Sequence, residues 1–71
     1  MGIKAKIETF ASSKKISLRD YQKNNLRDIE RDFENGKIDK NAVVSRVHQE
    51  FKKEGRILSS SEERELSSKI V

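Results

Sequence analysis

Ser17-Leu-Arg-Asp-Tyr-Gln-Lys-Asn-Asn-Leu-Arg-Asp-Ile-Glu-Arg-Asp-Phe-Glu-Asn-Gly36 is the longest segment of this chain that keeps a single period. Successive residues of an α-helix lie about 100° apart, and on that spacing Leu18, Tyr21, Leu26, Ile29 and Phe33 share one arc. An arc of this kind is the core-facing stripe of an amphipathic helix, and its expected span is 17–35. At its start Ser17 is placed to accept from the backbone near Asp20. Asp20 adds negative charge at the positive helix end, and Ile16 stands where it can staple onto Tyr21. At the other end Asn35-Gly36 has helical period on both sides, so Gly36 reads as the left-handed residue after a helix stop. Gln22 and Asn25 fall inside the apolar arc, although a buried amide without partners costs about 1–3 kcal/mol. A wet rim, or a bend at the low-propensity pair Asn24-Asn25, accounts for them; a polar contact with a partner helix is the other option.

Working outward, Ile3, Ile7, Phe10 and Ala11 make a stripe on a first helix over about 3–13. Beyond Gly36, Ile38 and Asp39 repeat the staple-and-cap pattern, and Val43, Val44, Val47 and Phe51 build the face of a helix over about 40–54. In Ser59-Ser-Ser-Glu-Glu63, either Ser59 with Glu62 or Ser60 with Glu63 fits a capping box for a last helix over about 60–70. The apolar content of that helix is only Leu66, Ile70 and Val71, the pattern of a docked or frayed arm. Phe33 to Asp39 and Phe51 to Ser59 share a Phe, a Gly soon after it, a base, an Ile and a cap, so one helix-to-helix corner is used twice. The expected fold class is all-α, a single domain over 1–71 formed as a compact antiparallel bundle of three to four short helices.

Composition limits what such a bundle is able to do. At 71 residues the core is small. Leu, Ile, Val and Phe together number 18, enough to lift a highly charged chain above the disordered range. The chain has no cysteine, which excludes disulfides and thiolate metal sites. No apolar run approaches the roughly 20 residues of a membrane span, and the N-terminus has no apolar core of a signal peptide. The expectation is a soluble, cytoplasmic protein without a membrane partner. Met1-Gly2 opens like a myristoylation signal, but Lys6 stands where that motif takes Ser or Thr.

Charge is lopsided. Residues 1–27 hold seven bases against two acids, and residues 28–71 hold nine against ten. Lys14, Lys15, Arg19, Lys23, Arg27 and Arg31 are the candidate partner-binding residues. The last four follow one another at i+4 on the side of the long helix away from its core face, and with Lys14 and Lys15 they suit nucleic-acid phosphates or an acidic protein surface. The bland alternative is a solvated helix face. Tyr21, Phe10, Phe33 and Phe51 all fall on expected core faces, so the aromatic interleaving of a single-strand nucleic-acid binder is missing. A helix-turn-helix laid on Phe10 to Asn24 directs Arg19, Gln22 and Lys23 at base edges, but Lys15 replaces the common turn glycine and Asn24 an apolar contact.

Catalysis finds no footing. The single histidine, His48, lies at the edge of an apolar face, where a packed or rim role is expected, and it has no nucleophile and third group beside it in sequence. Asp28, Glu30, Asp32 and Glu34 point in several directions, and Gly2, Gly36 and Gly55 are isolated, so neither a metal site nor a phosphate loop is expected. No enzyme activity, cofactor or metal is expected. The favoured function is a small regulatory or adaptor protein that binds another macromolecule, foremost a protein, through the basic N-terminal face and residual apolar surface. A DNA-binding regulator is the alternative, and a homo-oligomerisation module completing a thin core is the third reading.

Overall fold

The computed structural model describes residues 2–70. Four helices form, α1 (Ile3–Ser13), α2 (Asp20–Glu34), α3 (Lys40–Lys53) and α4 (Ser60–Ile70), with no strand among the described residues. They make a ring: α1 packs on α2, α2 on α3, α3 on α4, and α4 closes back on α1. Inside it Ile7, Phe10, Leu26, Val43, Val47, Phe51 and Leu66 are wholly removed from solvent. The rings of Phe10 and Phe51 stack across the diagonal, with centroids 6.1 Å apart and planes 10° apart. The last helix is docked rather than frayed, through buried Leu66 and Ile70; Val71, also expected there, lies outside the described residues.

All three corners are built the same way. After α1, α2 and α3 the chain passes through a left-handed residue, Lys15 (φ 58°), Gly36 (φ 75°) and Gly55 (φ 75°) respectively. The next residue's N–H then donates five positions back: Ile16 to Ala11 O at 2.8 Å, Lys37 to Asp32 O at 2.9 Å, Arg56 to Phe51 O at 3.0 Å. This is the Schellman closure, which satisfies carbonyls that a helix end leaves without donors. The residue before each following helix cap is apolar and turned inward: Leu18, Ile38 and Leu58.

The first and third corners correspond at an offset of 40 residues. Ile3 and Val43, Ile7 and Val47, Lys15 and Gly55, Leu18 and Leu58, the caps Arg19 and Ser59, and Leu26 and Leu66 hold matching places in the two hairpins. The bundle is therefore one α-hairpin architecture used twice, joined by the shorter corner at Gly36. Both long corners consequently lie at one end of the ring, tied together by Arg56, whose guanidinium donates to Lys14 O at 2.9 Å and Lys15 O at 3.3 Å.

Two expectations are corrected. The long helix starts at Asp20, not Ser17, because the first corner uses residues 15–18 to turn the chain and tuck Leu18 inward; Ser17 is left exposed and caps nothing. Arg19 is the cap residue. Arginine has no acceptor atom, so only the return half of a capping box forms, the Arg19 N–H donating to Gln22 Oε1 at 2.9 Å. The second correction concerns Tyr21, which is 50 % exposed. The buried stripe of α2 runs Gln22, Leu26, Ile29, and Tyr21 stands about 100° round the helix from Gln22.

Gln22 accounts for the amides inside the arc. It is fully buried, neither at a rim nor at a bend, and its Nε2 donates to the Glu50 carbonyl on α3 at 3.0 Å. That carbonyl belongs to the last turn of α3, where helical donors run out. Asn25 reaches the same residue through its side chain, Nδ2 to Oε1 at 3.4 Å, and Lys53 Nζ stands 3.2 Å from the other Glu50 oxygen. No buried side-chain nitrogen or oxygen among the described residues is left without a partner. None of the described helices is long and apolar enough to cross a membrane.

Candidate docking surface at one end of the bundle

Of the six candidate bases, three are occupied. Lys14 caps the end of α1, its Nζ 3.2 Å from Glu65 and 3.9 Å from Glu62 on α4, and it also lies 5.7 Å from the centre of the Phe10 ring. Arg19 Nε is 3.3 Å from Glu54 across the two long corners. Arg31 is 3.5 Å from Asp28 and 3.8 Å from Asp32 on its own helix. Partly solvated pairs like these contribute about 0.2–1 kcal/mol each, and their main consequence here is local neutralisation. Lys15, Lys23 and Arg27 are exposed and have no carboxylate within 4.0 Å among the described residues.

The third corner adds residues that N-terminal charge counting passes over. Residues 14–20 and 52–59, the two long corners, contain Lys14, Lys15, Arg19, Lys52, Lys53 and Arg56 against Asp20 and Glu54. Lys53 is paired with Glu50 and lies 5.9 Å from the centre of the Tyr21 ring, which places Tyr21 at this same end. Lys52 and Arg56 are exposed and without a carboxylate within 4.0 Å among the described residues. Arg56 sits directly beside Lys15, whose carbonyl it holds.

Ile57 stands next to Arg56 and is 77 % exposed; with Tyr21 it makes up the exposed large apolar side chains among the described residues. The fold does not require an isoleucine there. In the matching place of the first corner, 40 residues earlier, the chain has Ser17, which is exposed as well. Leu58 fills the inward place in the third corner, 5 % exposed, as Leu18 does in the first. Ile57 is thus an apolar side chain held out to solvent by a turn that accepts a polar one.

The surroundings of this end are rigidly made. Ser59 and Glu62 close the capping box of α4, with Glu62 N–H donating to Ser59 Oγ at 3.2 Å and Ser59 N–H to Glu62 Oε1 at 3.0 Å, so the first of the two expected registers is the one formed. The Ser59 N–H above all holds the Glu62 carboxyl below its ordinary range; burial opposes it less strongly, and the Ser59 hydroxyl, Lys14 and Arg56 add to the lowering. His48 is a packed residue, its Nε2 accepting the Leu58 N–H at 2.9 Å.

Gln22, which the trial helix-turn-helix directs at base edges, is wholly buried and bonded to α3. The feature that sequence reading missed is the pairing of corner one with corner three. Its only sequence signal is the 40-residue offset between Leu18-x₇-Leu26 and Leu58-x₇-Leu66. Against models of known protein families, curated proteins and solved structures, the chain matches none.

Proposed function

We propose that this chain is a small, non-enzymatic adaptor or regulator that binds another protein, docking an acidic segment of that partner on the end of the bundle formed by the two long corners. One observation carries the reading: the two exposed large apolar side chains, Tyr21 and Ile57, stand at the end where Lys15, Lys52 and Arg56 have no acidic neighbour within 4.0 Å among the described residues. Apolar anchors ringed by positive charge complement a segment that alternates carboxylates with aliphatic or aromatic residues. Support for a non-enzymatic role comes from His48, whose lone pair is engaged by a backbone N–H rather than by a nucleophile. We take the setting to be the cytoplasm, in keeping with a chain free of cysteine.

Selection from a displayed peptide library tests this directly. Enriched peptides are expected to be acidic with apolar anchors, and Ile57→Ser or Lys52→Glu is expected to weaken their binding at least roughly tenfold, the scale of one lost interface anchor. Selection of no acidic peptide, or binding indifferent to both substitutions, overturns the proposal.

A second reading is favoured by Lys23 and Arg27, one helical turn apart on α2 and without a carboxylate within 4.0 Å among the described residues: the polyanion is duplex DNA. Binding whose logarithm falls with the logarithm of salt, with a slope of about −0.9 per phosphate neutralised, and which is abolished by Lys23→Glu with Arg27→Glu, selects that reading. A second copy of the chain is the third occupant. It is excluded by a sedimentation mass that stays monomeric as concentration rises.

A further inference from the structure

His48 is the imidazole whose protonation state bears on a backbone bond in the corner that carries Ile57. Its Nε2 accepts the Leu58 N–H at 2.9 Å, so in this arrangement Nε2 holds a lone pair and the ring proton resides on Nδ1. Nδ1 faces Glu63 Oε1 at 3.7 Å, a carboxylate suited to a ring N–H. The side chain is 12 % exposed, so water has limited room to stand in for either partner.

A second proton has one place to go. It must occupy the Nε2 lone pair, which turns Nε2 into a donor and sets it against the donating N–H of Leu58. The bond is then lost, and a backbone donor in this partly buried setting does not go unpaired without cost. The charged ring is not stranded, because Glu63 on α4 faces its other nitrogen. Lys52 on α3 and Arg64 on α4 line the same groove and oppose the charge, while Asn41, Ser45, Gln49 and Ser67 around it are neutral. Protonation therefore exchanges a ring-to-backbone bond for a ring-to-carboxylate pair.

We propose that His48 is a proton-sensitive latch on the corner between α3 and α4, and that its protonation releases residues 56–58 and changes how Arg56 and Ile57 are presented. The consequence for binding rests on the docking surface proposed above; the latch itself does not. Leu58 is the anchored member of the segment, 5 % exposed, and Arg56 holds the first corner through the Lys14 and Lys15 carbonyls, so movement here reaches both corners. No other imidazole exists in the chain to share the response.

Backbone amide NMR of the whole chain, titrated from about pH 8 to about pH 5 where imidazoles change charge, reads the latch without any partner. The amide shifts of Ile57 and Leu58 are expected to move with the midpoint of the His48 ring signals, and hydrogen-exchange protection at Leu58 to fall by roughly tenfold, the order of one lost hydrogen bond. In His48→Gln, whose side-chain oxygen accepts an N–H and does not titrate, both responses disappear. In Glu63→Gln the response remains, because Nε2 still accepts the Leu58 N–H. Leu58 shifts and protection that stay constant while His48 titrates overturn the proposal, as does an unchanged response in His48→Gln. A surface that captures no peptide at any pH would remove the docking reading and leave this test as it stands.

Discussion

Glutamine 22 is where the chemistry of single residues is most exacting. Its amide closes two backbone needs at once, the Arg19 N–H at the start of α2 and the Glu50 carbonyl at the end of α3. Gln22→Leu keeps the volume and removes both bonds, and the expected loss is about 1–3 kcal/mol in a denaturant unfolding curve. A cost within 0.5 kcal/mol, the usual range for a surface position, would mean the two groups find water instead. At the opposite end of the bundle, Gly2 is the cap residue of α1 and offers no side chain. The Lys4 N–H is met instead by Glu30 Oε2 from α2 at 3.0 Å, and a Cβ at Gly2 would collide with that carboxylate. Neither arrangement is legible in sequence. An amide inside an apolar arc announces only that something must bond it, and a carboxylate capping a helix 26 positions away leaves no local pattern. Tyr21 falls at the edge of the arc by helical phase, and it stays exposed because the buried stripe centres on Gln22, Leu26 and Ile29.

At the scale of elements, the three Schellman corners do most to fix the path of the chain. Gly36 and Gly55 adopt φ near 75° without a side-chain penalty, whereas Lys15 adopts φ 58° with a Cβ. Lys15→Gly is therefore expected to relieve about 1–2 kcal/mol of backbone strain and, after the added freedom of glycine in the unfolded chain, to stabilise the fold by about 0.5–1 kcal/mol net. Each kcal/mol raises the melting temperature of a domain this size by about 4–8 °C. A fall in melting temperature would contradict the corner assignment. The lysine also explains what sequence reading missed: the second and third corners are legible through glycine, while the first, lacking it, lets Ser17 pass for a helix cap. The boundaries of α1, α3 and α4 followed from apolar spacing and the caps Asp39 and Ser59, because those signals are local.

The box at α4 has its own pH signature. Glu62 has its folded pKa lowered, first by the Ser59 N–H, so its contribution is present above the unfolded value and is lost as pH falls through the folded one. The melting temperature of the parent is expected to drop more steeply through the acidic carboxylate range than that of Glu62→Gln, and parallel curves would contradict it.

For the whole molecule, the ring of four helices is legible in the sequence as a bundle, and the meeting of its two long corners is not. Apolar periodicity gives helices, and short corners give antiparallel neighbours. Which corners come together depends on closure of α4 onto α1, a long-range contact without a sequence mark. The N-terminal charge excess points to the first corner and to Lys15, yet Lys14, Arg19 and Arg31 are neutralised by carboxylates from other turns. The cations that complete the end, Lys52 and Arg56, come from the near-neutral remainder of the chain. On the reading proposed above, a partner docks at this end rather than on the outer face of α2. Amide chemical-shift mapping with a library-selected acidic peptide tests it most directly. The account predicts perturbations confined to residues 14–21 and 52–59, centred on Tyr21 and Ile57; perturbations centred on the Gly36 corner, or spread along Lys23, Arg27 and Arg31 with Ile57 silent, would contradict it.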